Sequence, residues 1–382
     1  MAQTNTDNDT IYRSLQRHLD CQAVGFPAVR SGADIRLLKI LFTPDEARVA
    51  LHLSYRPTRQ DAVIAGAAGQ FSAEQTVALL ESAFKKGALG WKSRDAVPCW
   101  FVMPPVVGIF EAQGDRLSPE FLAAFGAYTR TMEYGKSFIS VKPPQMRTIP
   151  IKKSVAVEHR IATYDEIRSL VHTSKGPYVA LTCICRQSQA MAGKPCKKTS
   201  RMETCLAMGD MAAMMLRRGY GRGISFGGAL DLLQTNEDEG LVLQPANEQE
   251  AEFVCSCCGC CCGMLRYQKM LPRPVDFWAG NFQARIDAAS CSGCGVCARR
   301  CQVNAVKLKG EKVAAEIDPA RCIGCGLCVT TCPKKAITLR KKETETVPPR
   351  NEEELLDAIK ANRRGTLGQM AMLLKLLLRI RQ

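Results

Sequence analysis

Two stretches constrain this chain more than anything else in it: Cys291-x-x-Cys294-x-x-Cys297-x-x-x-Cys301 and Cys322-x-x-Cys325-x-x-Cys328-x-x-x-Cys332-Pro333. Three thiolates on one tight loop can hold three corners of a [4Fe-4S] cube. The fourth cysteine of each run cannot close the same cube and reaches the other one. This spacing assigns one cluster to Cys291, Cys294, Cys297 and Cys332, and the second to Cys322, Cys325, Cys328 and Cys301. Gly293, Gly295, Gly324 and Gly326 suit backbone that must pass close to an inorganic core and turn N–H groups toward its sulfurs. Zinc knuckles are the competing reading, but they pair C-x-x-C units across a longer gap.

The repeat extends beyond the cysteines. Ile286-Asp287-Ala288-Ala289-Ser290-Cys291 parallels Ile317-Asp318-Pro319-Ala320-Arg321-Cys322, and each run is followed by a short apolar stretch, Ala305–Leu308 and Ala336–Leu339. Such a duplication predicts two equivalent halves. On these residues the segment from about 283 to 340 resembles a bacterial-type two-cluster ferredoxin. The resemblance implies two short β-α-β halves around neighbouring cubanes. One departure is Gln302, at a position where that family usually has the proline seen at Pro333.

Eight ferredoxin-type cysteines leave twelve of the twenty in the 382-residue chain. Ten of them lie centrally: Cys183, Cys185, Cys196 and Cys205, then Cys255, Cys257, Cys258, Cys260, Cys261 and Cys262. A lone buried cysteine packs as a small hydrophobe, but adjacent thiols need metal, disulfides or redox turnover. The first four could hold one cubane. The ten together point to at least one further Fe–S cluster, with zinc or a thiol-exchange centre ranked below it, and their spacing leaves the grouping open. Disulfide-dense scaffolds are small and secreted. This chain is long, and its first twenty residues are polar, so a reducing cytoplasm is the expected home and low-oxygen life fits the cysteine count.

Thr43-Pro44-Asp45-Glu46 and Ser72-Ala73-Glu74-Gln75 predict helix starts, each with a capping residue and early acids. Strands are expected at 88–91 and 99–103. Three helices followed by a two-stranded wing resemble a winged helix. The helix that starts at Ser72 would read DNA, but it puts Glu74 and Glu81 among its exposed positions, where basic or amide side chains are wanted. A docking role therefore ranks above nucleic-acid binding. Between the cysteine groups, Met208, Met211, Met214, Met215 and Leu216 are read as a core helix stripe, and Gly219–Gly223 as a turn before a helix capped by Ser225. The four histidines, His18, His52, His159 and His172, are scattered and form no metal motif. Cys21 and Cys99 are isolated.

The formal charge is +15, from 52 Lys/Arg against 37 Asp/Glu. Metallated thiolates reduce that surplus. The tail is basic, and an acidic protein or a membrane surface would meet it. After Asn351 a helix with acids in its first turn is expected, and Thr366-x-x-Gln369 predicts a capping box for a last, mostly apolar helix to about Gln382 with Lys375, Arg379 and Gln382 as its polar stripe. About 16 residues reach only ~24 Å, short of a ~30 Å hydrocarbon core, so surface contact by 366–382 on the inner face of a membrane, not spanning, is the alternative to packing on the chain itself.

The expected architecture is α+β in four parts: a winged-helix-like domain (1–140), a central cysteine-rich α/β domain (141–280), a two-cluster ferredoxin domain (281–342), and a linker with C-terminal amphipathic helices (343–382). The layout resembles larger iron–sulfur proteins of anaerobic bacteria in which a winged-helix-like front, a Cys-x-Cys-Arg segment and a CC-rich segment precede a ferredoxin module. The leading expectation is an electron-transfer protein, part of a larger oxidoreductase and served by redox partner proteins. No catalytic residue is named. The alternatives are an oxidoreductase whose central cysteines act on a substrate, and a redox-sensing DNA-binding regulator.

Overall fold

The computed structural model describes residues 2–155, 162–310 and 313–380; His159 and Gln382 lie outside them. The chain forms two compact units. One contains the residues up to Val141 with Ala213–Tyr220 and Leu356–Gln369; the other contains Lys142–Ala212, Gly221–Leu355 and the residues from Met370.

The first unit carries α1 (Ala2–Asp20), α2 (Ala33–Leu41), α3 (Pro44–Ala50), β1 (Thr58–Arg59), α4 (Gln60–Ala67), α5 (Ala73–Lys85), β2 (Leu89–Arg94), β3 (Val97–Val102), α6 (Pro119–Thr129) and α7 (Met132–Ser140). The capping boxes at Thr43 and Ser72 form as expected. The wing has one strand more than expected, because β1 pairs with β3 to give an antiparallel sheet in the order β1-β3-β2. Glu81 does not project freely from α5; it pairs with Arg217, whose guanidinium lies 4.4 Å from the Trp91 ring centre.

The second unit begins with α8 (Ile167–Thr173), β4 (Tyr178–Thr182), α9 (Ile184–Met191) and β5 (Glu203–Met208). Then come α10 (Gly209–Arg218), of which the part from Ala213 belongs to the first unit, β6 (Arg222–Ile224), α11 (Phe226–Asp238), β7 (Val242–Pro245), β8 (Phe253–Cys257) and α12 (Gly263–Met270). Met208 thus ends a strand, because Gly209 turns the chain with φ +57° before the helix starts, while Met214 and Met215 are core residues as expected. A 3-10 turn at Thr163–Asp165 precedes α8, whose N-cap Glu166 accepts the N–H groups of Arg168 and Ser169. Strands β6-β4-β5-β8-β7 form one antiparallel sheet.

The ferredoxin-type segment supplies β9 (Phe282–Ile286), α13 (Val296–Arg300), β10 (Val306–Lys307), β11 (Glu316–Ile317) and β12 (Ile337–Lys341). β9 pairs with β12 and β10 with β11, so each half lends a strand to the other. Asp287 N–H bonds Ala336 C=O at 2.8 Å, and the equivalent Asp318 N–H bonds Ala305 C=O at 2.7 Å. Only the first half has its helix, α13. In the second, the counterpart is a run of turns.

An extended connector joins this segment to the sheet. Arg147 and Ile149 N–H groups bond Pro245 and Leu243 of β7, Thr148 N–H bonds Ala279, and Ile151 N–H bonds the carbonyl of Cys325 at 3.1 Å. A buried Arg147–Asp165 ion pair, with Asn281 donating to Asp165 at 2.8 Å, fixes its start. One apolar core therefore runs from Leu206, Val242 and Val254 of the sheet through Phe282, Ile323, Leu327 and Leu339 of the ferredoxin-type segment, and includes Cys257, Cys262, Cys297 and Cys322.

At the C-terminal end are α14 (Glu352–Ala361) and α15 (Thr366–Leu377). The last helix begins one residue earlier than a cap at Thr366 requires: Gln369 N–H bonds Gly365 C=O, which places Thr366 inside the first turn, and the Gln369 side chain donates to Arg364 C=O. The helix stops short of the expected end. Met372 is buried, while Leu367, Met370, Leu374 and Leu377 are exposed. Among the described residues no helix is long and apolar enough to cross a membrane.

Glu46 of α3 anchors the first unit. Its buried carboxylate accepts Lys86 Nζ at 2.7 and 2.8 Å and the Thr43 N–H at 2.7 Å. Burial alone would raise its pKa, but the bonds from Lys86, Ser82 and Thr43 outweigh it and hold the carboxyl below its ordinary value of 4.5. A depressed carboxylate adds stability that is complete above the unfolded-state pKa and is lost as pH falls through the folded one. Glu46→Gln is expected to destabilise this unit by about 1–3 kcal/mol at neutral pH, and by progressively less as the pH is lowered through that range. Urea melts of both proteins from pH 7 to pH 3 measure this; a loss independent of pH would show that the charge is not responsible.

Candidate metal centres

The ferredoxin-type cysteines are placed by the duplicated loops. Gly293, Gly295, Gly324 and Gly326 all take left-handed backbone, with φ between 68° and 76°. At Gly324 a Cβ would also run into the carbonyl of Phe282, so this position needs glycine twice over. Cys301 and Cys332 sulfurs accept the N–H groups of Ala305 and Ala336 at 3.2 and 3.3 Å, the same bond made in both halves. Cys322 accepts the Ala284 N–H at 3.4 Å. Bonds of this kind stabilise negative sulfur and tune a cluster's potential.

Cys322, Cys325 and Cys328 each feel the field of Cys301, the crossing partner that the spacing predicts. Burial pushes these thiols up, Cys325 to about 12. Thiols in such a site become thiolates only when cations supply the missing charge. Cys297 is also buried and raised by burial, with Cys291 and Cys294 as its charged neighbours, and Cys294 is exposed.

The ten central cysteines divide into two sets, a division the sequence left open. Six form one set, a ring in which each thiol acts electrostatically on the next, in the order Cys183, Cys185, Cys262, Cys257, Cys255, Cys205 and back to Cys183. The sheet builds it. Cys205 on β5 and Cys255 on β8 follow the Leu206↔Val254 register, and Cys257 shares the face of Cys255 two residues on. Cys183 caps α9, Cys185 lies in its first turn, and Cys262 caps α12, so positive helix ends face three of the sulfurs. Around the ring the thiols alternate. Cys185 and Cys205 hold Cys183 down, Cys205 and Cys257 hold Cys255 to about 6, and Cys185 and Cys257 hold Cys262 down, while Cys185, Cys205 and Cys257 are raised.

The other four, Cys196, Cys258, Cys260 and Cys261, converge with all sulfurs within 4.8 Å of one another. Cys196 therefore does not join Cys183, Cys185 and Cys205 in a four-cysteine site. It lies on the loop after α9, and Cys258, Cys260 and Cys261 lie on the turn that leaves β8. Once the strand ends, its alternation no longer holds them to the face of Cys255 and Cys257.

Arg186 stands between the two sets. It is fully buried, bonds Thr204 Oγ1 and the Ser256 carbonyl (2.9 Å), and has no carboxylate within ion-pair distance among the described residues. Although burial opposes its charge, the sulfurs of Cys183 and Cys258, with those of Cys196 and Cys205, raise its pKa. Asn236 completes the support by donating to Thr204 C=O and Ser256 Oγ, both at 2.8 Å.

Gln302 joins the turn of the four-cysteine set to the ferredoxin-type loop. It is buried, accepts the Gly259 N–H at 2.9 Å and donates to Gly240 C=O at 3.2 Å. A proline here could make neither bond. Lys269 Nζ holds the Gly259 carbonyl at 2.9 Å, and Arg321 donates to the carbonyls of Lys269 and Leu271, both at 2.9 Å.

Residues 284–339 match the family model of a 4Fe-4S dicluster domain. The chain contains a ferredoxin-type iron–sulfur module, and with its clustered central cysteines it is a metal-binding chain of the electron-transfer class. No curated protein matches it.

Gln302→Ala would leave a buried N–H and a buried C=O unsatisfied and open a void. The expected cost is about 2–4 kcal/mol in the second unit. Gln302→Glu keeps the bond to Gly259 but loses the donor to Gly240, so an intermediate loss is expected. Denaturant melts of the anaerobic holoprotein measure both.

Proposed function

We propose that this protein carries single electrons between a redox partner and a third iron–sulfur centre of its own, as a subunit or accessory of a larger oxidoreductase. In this reading Cys291, Cys294, Cys297 and Cys332 hold one cubane, and Cys322, Cys325, Cys328 and Cys301 the other. The six-cysteine ring of Cys183, Cys185, Cys205, Cys255, Cys257 and Cys262 holds the third cluster. The observation that carries the proposal is the common core: ring cysteines Cys257 and Cys262 are packed in one apolar cluster with Cys297 and Cys322. A dry, continuous core around successive clusters favours electron passage over exchange with solvent. No three of the ring sulfurs lie within 4.8 Å of one another among the described residues, so the ring is not drawn together on one ion.

A second reading rests on the same ring. Six thiols exceed the four that a cubane needs, and the surplus could present an open position to a substrate, making the protein an oxidoreductase. The winged-helix-like order of α3 to β3 we read as a docking scaffold. Exposed Ala73, Glu74 and Gln75 on α5 offer no basic patch for phosphates.

Anaerobic analysis of the full chain is expected to give about twelve iron atoms with matching sulfide: about eight from the ferredoxin module and about four from the ring. Cys205→Ser with Cys255→Ser should lower the count by about four and leave the paired-cluster EPR signal of the module intact. A wild-type count near eight would remove the third cluster. A substrate-dependent change in the ring's EPR signal would favour the second reading.

A further inference from the structure

We propose that Cys196, Cys258, Cys260 and Cys261 bind a single tetrahedral Zn2+, a site separate in kind from the iron–sulfur centres. The sulfur geometry carries this. Cys196 lies 3.6 Å from Cys258 and 3.8 Å from Cys260, while Cys260 lies 3.4 Å from Cys258 and 3.8 Å from Cys261. Four sulfurs ~2.3 Å from one zinc stand at tetrahedron edges of ~3.8 Å. Disulfides need ~2.05 Å, which none of these pairs approaches. The thiolates of a cubane each bind a different iron, so they stand further apart than four that share one ion.

The same chain provides its own comparison. Among the described residues this tetrad is the one group of three or more metal-ligating side chains whose atoms all lie within 4.8 Å. Neither ferredoxin-type quartet draws together in that way, although both have the spacing of cubane ligands. The tetrad has the packing of a single-ion site, and the quartets have the openness of cluster sites.

The surroundings fit a tetrathiolate. Binding releases four thiol protons and forms four Zn–S bonds, leaving a net double negative charge. Cys258 and Cys261 are buried against Leu241, in a setting that tolerates such charge only with compensation. Arg186 supplies a buried cation without a carboxylate partner, and the Lys198 N–H points at Cys196 sulfur at 3.4 Å. Six-membered rings of thiols are not needed for this ion, nor is inorganic sulfide. All four ligands are present, so no position is open for a substrate. The ion is structural: it ties the loop after α9 to the turn around Gly259, and thereby sets the N–H that Gln302 grips.

The test uses the full chain, expressed and purified without oxygen in medium containing both metals. Mass spectrometry should find about one zinc per chain, and zinc-edge X-ray absorption should show an all-sulfur shell at ~2.3 Å. The double variant Cys260→Ser/Cys261→Ser should lose that zinc and retain its iron and sulfide. Wild type without zinc, zinc bound by nitrogen or oxygen, or iron in the tetrad with a loss of iron and sulfide in the variant would each overturn the proposal. Should the variant fail to fold, the wild-type zinc count and sulfur shell decide the matter alone. Ring variants that lose iron but keep zinc would show that the two sites are independent.

Discussion

Arg186 is the interaction on which the cysteine-rich core depends. A buried guanidinium with no carboxylate within ion-pair distance among the described residues is untenable unless negative sulfur surrounds it. Ten cysteines crowded at one end of a sheet present the opposite difficulty, since their thiolates repel one another in a dry interior. The two problems solve each other. The network of Thr204 on β5, Ser256 on β8 and Asn236 on α11 then holds Arg186 beside the sulfurs of both sets, and β5 and β8 also carry Cys205, Cys255 and Cys257.

What could be read in the sequence followed how local each determinant is. The ferredoxin-type loops were legible because duplication, spacing and left-handed glycines all act within a few residues, and the structure repeats the N–H···S bond at Ala305 and Ala336. Helix starts at Thr43 and Ser72 were legible for the same reason. The grouping of the central cysteines was not, because Cys205 meets Cys255 through strand register and Cys196 meets Cys258 through a loop that returns from α9. One local signal was available: Cys255 and Cys257 alternate on a strand. Where that strand ends, the pattern breaks, and nothing in the spacing marks the break. The last helix starts one residue earlier than the sequence suggests, a difference too small for propensity to resolve.

Gln302 is instructive because it reads as a defect. Against the pattern of Pro333 it looks like the loss of a stiff turn. In the folded chain it is a gain, since a side chain with both a donor and an acceptor spans the gap to Gly259 and Gly240. The same turn supplies three members of the tetrad. The departure from the pattern of Pro333 thus falls where the module is joined to the turn that carries the tetrad.

The strand exchange between the two ferredoxin-type halves has a further consequence. Because β9 pairs with β12 and β10 with β11, the strands of each half find their partners in the other. Neither repeat could be cut away without leaving strand edges of the other bare, and a change in either copy is felt in both.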